Sequence, residues 1–179
     1  IVYNNDIFSL NLAVSLSVFE VLNQLTKKKC AIKWPNDILA DQKKIAGILI
    51  ENNIHHNGEI SSVIGIGLNV NQDSFVDLPK VTSLSILENK FFDLDVVLDL
   101  ILNEFKQKLA LIKTNKKQEI WNIYHEVLFK KEIPTTFEDL NQQKFMGIIK
   151  GVSKHGKLQV LLEDDTINEF ALKEIKMLY

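Results

Sequence analysis

The run Lys44-Ile45-Ala46-Gly47-Ile48-Leu49-Ile50 constrains this chain more than any other segment. Its alternate positions are apolar on both sides, Ile45 and Leu49 against Ala46, Ile48 and Ile50. A strand of that kind must be covered on both faces, which predicts a central strand in a sheet that carries helices. Just upstream stands Lys33-Trp34-Pro35-Asn36-Asp37. Trp34 precedes a proline and is therefore extended, so residues 30–34 read as a strand that bends at Pro35 and resumes at Ile38-Leu39-Ala40. Asp41-Gln42-Lys43 turns the chain into residues 44–54. Asn57-Gly58 is a strong hairpin signal, and residues 59–71 return as the last strand of a three-stranded meander.

Helices supply the cover. Ser9 is placed to cap a helix that runs to about residue 28. Leu12, Leu16 and Phe19 lie on one side of it, with Val14, Val18, Val21, Leu22 and Leu25 around it. Lys27-Lys28-Lys29 close it, where cations suit a helix C-terminus, and a solvated helix end explains them better than a nucleic-acid patch. After a polar loop over residues 72–83, Asp93 or Asp95 caps a helix with Val97, Leu98, Ile101, Leu102, Phe105, Leu109 and Ile112 at helical spacing. Ile120, Trp121, Tyr124, Val127 and Leu128 mark another. From about Phe129 the period shortens. Residues 133–137, 144–152, 157–163 and 166–171 read as four or five short strands with turns at Asn141-Gln142, His155-Gly156 and Asp164-Asp165. Roughly 50 residues of short antiparallel strands suggest a small barrel. The fold class is α+β, a mixed or antiparallel sheet covered by helices and followed by that barrel.

Composition excludes several functions. The net charge of −2 gives no basic field for nucleic acid. Cys30 is the only cysteine, so no intrachain disulfide forms and a cytoplasmic setting is the default. The four histidines show no metal-ligand spacing. Asn11, Glu20, Asn23 and Gln24 interrupt the apolar residues 7–25, which argues against a membrane span. What remains is the charge cluster on the hairpin. Two cations (Lys33 and Lys44), an amide (Asn36) and a carboxylate (Asp37) flank Gly47, which lets a ligand approach the backbone. That set suits an anionic substrate neutralised at close range. Gly65-Ile66-Gly67-Leu68-Asn69 is not a dinucleotide fingerprint, because it lies inside a strand with no helix close behind. Its glycines allow close approach at a strand instead.

The blocks KWPND, KIAGILIE and VIGIGLNVN, in that order, resemble the central motifs of biotin protein ligases. The resemblance implies a biotin/lipoate ligase-like catalytic domain over residues 1–128 and an SH3-like barrel over residues 129–179. Thr82-Ser83-Leu84 resembles a further short family motif. Gly147 and Lys154-His155-Gly156 resemble the barrel's pattern, although the glycine expected before its last glutamate is Lys173 here. The implied activity is ATP-dependent formation of biotinyl-5′-AMP and transfer of biotin to a lysine of a biotin carboxyl carrier domain, with Mg2+ accompanying the nucleotide.

By this resemblance Lys44 contacts both the biotin carboxylate and the activated phosphate; an ordinary turn lysine is the alternative. Gly47 leaves room for a flat bicyclic ring. Ile48 and Leu49 offer backbone groups to the ureido head and apolar contact along the valeryl chain. Asp37 orients a lysine, helps to hold a metal ion or assists deprotonation of the carrier amine; otherwise it only forms the turn. Lys33 and Asn36 fit phosphate or Mg2+ contacts, and Asn69 stands near the nucleotide. Trp34 is a stacking wall or a core residue. No metal site made of protein groups alone is expected.

The family's Gly/Arg-rich loop, which wraps the adenylate, has no counterpart in this sequence. Residues 1–3 read as the end of the strand that follows it. The expectation is a piece of a longer protein with little or no activity alone. A non-catalytic biotin- or partner-binding homologue and a lipoate ligase are the alternatives. A regulator with a DNA-binding domain finds no support in these residues. Homodimerisation through a sheet edge is left open, and no membrane partner is expected.

Overall fold

The computed structural model describes residues 7–114 and 116–179. The strand end expected at residues 1–3 lies outside them. The chain divides into two compact units at Val127/Leu128.

In the first unit, α1 (Ile7–Leu25) precedes a four-stranded antiparallel sheet of β1 (Cys30–Lys33), β2 (Asp37–Ala40), β3 (Lys43–Ile54) and β4 (Ile60–Leu68), in spatial order β1-β2-β3-β4. α2 (Leu84–Glu88), α3 (Leu94–Lys113) and α4 (Lys117–Glu126) follow. The expected meander had one strand fewer. The chain does not resume its direction after Pro35 but reverses, pairing Lys33 with Asp37 and Cys30 with Ala40. The Trp34–Pro35 peptide there is cis. Asp41 and Gln42 then take positive φ values of 51° and 63°, the twist that a two-residue hairpin loop needs. At Asn57-Gly58 the glycine takes φ 81°, as the hairpin signal predicts. β4 stops at Leu68, short of residue 71; beyond it the Asn69 and Val70 carbonyls accept the N–H groups of Leu84 and Ser85.

α1 packs on α3, α4 and β1. It is long and apolar enough to cross a membrane by length and composition, yet 67% of that window is buried within the protein. Leu12, Val14, Leu16, Val18 and Leu22 are all but inaccessible, and each buried aliphatic contributes about 1.5–3 kcal/mol of transfer free energy. Ser17, also buried, donates to the Ala13 carbonyl at 2.6 Å. Ser9 lies inside the helix rather than capping it, and the helix ends at Leu25, ahead of the lysine run. There Thr26 takes over, donating its hydroxyl to Glu88 at 2.5 Å.

The capping aspartate of α3 is Asp93, whose carboxylate accepts from the N–H groups of Asp95 and Val96. Only part of its expected core stripe is covered: Val97 and Ile101 are buried, whereas Leu98 and Leu102 are exposed. Helical spacing gave these four one broad face, but α1 covers only part of it. β3 shows the same limit. Ile45, Ala46 and Ile48 are buried, but Leu49 is 60% exposed, so the strand is covered on both faces only near its start.

The second unit is one antiparallel sheet, β8-β7-β6-β5-β9, built from β5 (Pro134–Asp139), β6 (Lys144–Val152), β7 (Leu158–Leu161), β8 (Ile167–Phe170) and β9 (Ile175–Leu178). Phe137, Ile149 and Val160 are its fully buried centre. A side chain at Gly147 would collide with Val160 and come within 3.2 Å of the Leu161 carbonyl, so glycine is what lets β6 and β7 close up. The three expected turns are present, with Gln142, Gly156 and Asp165 at positive φ. Lys173 also takes positive φ, 69°, which accounts physically for the glycine that the resemblance places there.

Candidate active site

The charge cluster assembles where β2 meets β3. Asp37 pairs in register with Gly47, which puts both on one face of the sheet. Between them the ladder slips: Ile38 faces Ala46 while Leu39 faces Lys44, leaving Ile45 as an extra residue on β3. A bulge of this kind re-aims a neighbouring side chain. Here the Lys44 ammonium comes back over Gly47, where a notional Cβ would lie 3.4 Å from both its Cε and Nζ. Lys44 Nζ is 2.5 Å from Asp37 Oδ1, and Lys33 Nζ is 3.3 Å from Asp37 Oδ2. Two ammonium groups thus share one carboxylate, and these three side chains together carry one positive charge in excess. The side chains of Lys33 and Asp37 are 17% and 16% exposed against 44% for Lys44, so the excess charge faces outward through Lys44.

The backbone of Lys44 is fixed from a second direction. Its N–H donates to the Lys80 carbonyl at 2.8 Å, and its carbonyl accepts from the Thr82 N–H at 2.9 Å. Asn69 ties these pieces together, donating its amide to the Thr82 carbonyl at 3.1 Å and its backbone N–H to the Ile45 carbonyl at 2.9 Å. The sequence predicts residues 80–82 as the end of a polar loop; in the structure they brace Lys44 through its backbone. The β-branched pair Val81-Thr82 was the available signal.

Asn36 is engaged by β3. Its side-chain amide donates to the Ile48 carbonyl at 2.7 Å while its own carbonyl accepts the Ile48 N–H at 2.9 Å. Ile48 turns its side chain into the core and bonds Asn36 through both backbone groups; Leu49 points outward. Trp34 is buried. Next to Gly47 across the β3–β4 ladder stands Gly67, and next to Leu49 stands Gly65. Backbone is therefore bare on that face from Gly47 to Gly65, with exposed Leu49 beside it. A flat ligand with an apolar arm and an anionic end fits such a floor, the anion lying toward Lys44.

Among the described residues no cluster of three or more His, Cys, Asp or Glu side chains could hold a metal. Both oxygens of Asp37 already face ammonium groups. These residues do not fit a protein-held Mg2+.

Residues 2–71 match the model of the biotin/lipoate A/B protein ligase family. The bifunctional ligase/repressor BirA of Bacillus spizizenii is 38% identical over 103 residues, 55% of this chain and 32% of its own length. Its Escherichia coli namesake is 26% identical over 166 residues, 88% of this chain and 49% of its own. This chain thus spans a third to a half of those curated relatives. The biotin protein ligase of Aquifex aeolicus, solved with biotin and ATP, superposes with a TM-score of 0.77 at 26% identity, over 96% of this chain and 72% of that one. The fold is that of a biotin protein ligase, and the C-terminal sheet is compatible with the SH3-like domain. Within the matched residues 2–71 lie Lys33, Asn36, Asp37, Lys44, Gly47 and Asn69, while the Lys80–Thr82 brace falls beyond them.

Proposed function

We propose that these residues serve a biotin protein ligase, which joins biotin to ATP as biotinyl-5′-AMP and then passes the biotinyl group to a lysine of a carrier domain. Residues 1–128 are read as part of the catalytic domain and residues 129–179 as the SH3-like domain, in a cytoplasmic protein. A carboxylate oxygen of biotin attacks the α-phosphorus of ATP and pyrophosphate leaves. The carrier amine then attacks the acyl carbon, AMP departs with the bonding electrons, and the amine gives up a proton. Both partners of the first step are anions, so positive charge at the meeting point lowers its barrier. Lys44 supplies that charge, held in place by Asp37 and by the backbone bonds to Lys80 and Thr82. Asp37, the carboxylate paired with Lys44, is assigned to assist loss of the proton from the carrier amine. Asn36 and Asn69 keep the backbone under the ligand in position. Mg2+ accompanies the nucleotide in this reading, with no step assigned to it.

The observation that carries the reading is the half-exposed Lys44 ammonium over Gly47, 2.5 Å from Asp37. The biotin- and ATP-bound structure of the similar Aquifex ligase supports this choice of ligand. Calorimetry of this chain with biotin, lipoate and a non-hydrolysable biotinyl-adenylate analogue is the test. The analogue should bind most tightly and lose at least about tenfold in Lys44→Ala, the size expected for a charge-assisted contact. Tighter binding of lipoate would turn the assignment to the lipoate branch. Binding that ignores Lys44 would refute it.

A further inference from the structure

The C-terminal unit carries an open groove of about 560 Å³, lined by residues to which the proposed function assigns no role. Its floor is aromatic. Phe145 stacks on Phe137 and on Phe170, with centroids 5.6 and 5.8 Å apart and ring planes within 24° and 28°. Leu162 adds an apolar wall, and Asp139, Glu163 and Asp164 form an acidic rim. Two of these carboxylates are held rigidly by one oxygen each. Asp139 Oδ1 accepts the N–H groups of Asn141 and Gln143, both at 2.8 Å. Asp164 Oδ1 accepts the Thr166 hydroxyl at 2.6 Å and its N–H at 3.1 Å. Among the described residues none of the three rim acids has an ion-pair partner. Lys144 is the one cation in the lining, and it stands opposite Glu138 across the β5–β6 ladder, which offsets its charge.

We infer that this groove docks a basic segment of a partner protein, with a lysine or arginine head among the three carboxylates and its aliphatic stem over the Phe145–Phe170 stack. An aromatic face attracts a cation, and a long cationic side chain brings an apolar stem that suits this floor. The same charge pattern repels nucleic acid, anionic lipid and acidic peptides. The inference is independent of the biotin site, so either can fail without the other.

The test titrates the full chain, by two-dimensional NMR, with a blocked pentapeptide Leu-Arg-Val-Lys-Leu and with its counterpart carrying Glu at both basic positions. The basic peptide should shift the amides of Phe145, Glu163 and Phe170, with a Kd below about 1 mM at low salt, weakening as salt rises. Glu163→Lys, at an exposed turn position, should weaken it roughly tenfold or more, and Glu163→Gln by less. Lys144→Ala should strengthen it. Equal shifts from the acidic peptide would overturn the inference. So would silence at these residues up to about 5 mM basic peptide in a folded chain.

Discussion

Replacing Gly47 by alanine separates a glycine kept for a ligand from one kept for packing. Its added methyl would lie 3.4 Å from Lys44 Cε and Nζ and 3.8 Å from Asp37 Oδ1. These are ordinary contact distances, so the fold accepts the change. At an ordinary strand conformation alanine restricts the unfolded chain more than glycine does, which stabilises by about 0.4–1 kcal/mol. The melting temperature should therefore hold or rise by about 1–4 °C. Ligand binding should move the other way. A carboxylate or phosphate oxygen must come within about 2.7–2.9 Å of the Lys44 ammonium, and the methyl occupies that side of it. Losing one charge-assisted hydrogen bond costs about 1.5–3 kcal/mol, or roughly 10- to 150-fold in Kd. Thermal denaturation and calorimetry with the biotinyl-adenylate analogue read both effects on one sample. Unchanged affinity at an unchanged melting temperature would refute a ligand path over Gly47. Stability and affinity falling together would mean that the glycine serves packing.

Four other outcomes are expected. Tyr124 is fully buried and its hydroxyl has no hydrogen-bond partner among the described residues; Tyr124→Phe should stabilise the chain by about 1 kcal/mol in a denaturant titration, and a loss of that size would contradict the reasoning. Burial pushes the Cys30 thiol up to about 11, so alkylation by iodoacetamide at neutral to mildly basic pH should run about two orders of magnitude slower in the native chain than in denaturant. Lys173→Gly removes a left-handed lysine at φ 69° and should raise stability by roughly 1 kcal/mol, read as a higher melting temperature. The Thr26 hydroxyl bond holds the Glu88 carboxyl below its ordinary value of 4.5. A lowered folded value means that its stabilisation is present above about 4.5 and is lost as the pH falls through the folded value. The stability curves of the parent chain and Glu88→Gln should therefore differ near neutrality and converge in acid; a constant gap would count against the assignment.

Local chemistry wrote much of this molecule into its sequence. Asn57-Gly58, Gln142, His155-Gly156 and Asp164-Asp165 mark reversals because so few residues tolerate positive φ. Asp93 announces the start of α3, since a short acidic side chain reaches free N–H groups. The co-occurrence of Lys33, Asp37, Lys44 and Gly47 was legible because a hairpin brings residues ten apart into register. Other features depended on what each segment meets. Nothing local in residues 34–36 distinguishes a bend from a reversal, and that choice turned one expected strand into β1 and β2. Leu49, Leu98 and Leu102 have the spacing of core residues, yet cover comes from neighbours whose extent the pattern does not contain. The bulge at Ile45, the Asn36 clamp on Ile48 and the brace from Lys80 and Thr82 arise from backbone groups seeking partners far along the chain. Sequence alone thus determined which charges gather beside which glycine. Only the tertiary structure decided where the Lys44 ammonium points, because long-range hydrogen bonds hold the backbone that carries it.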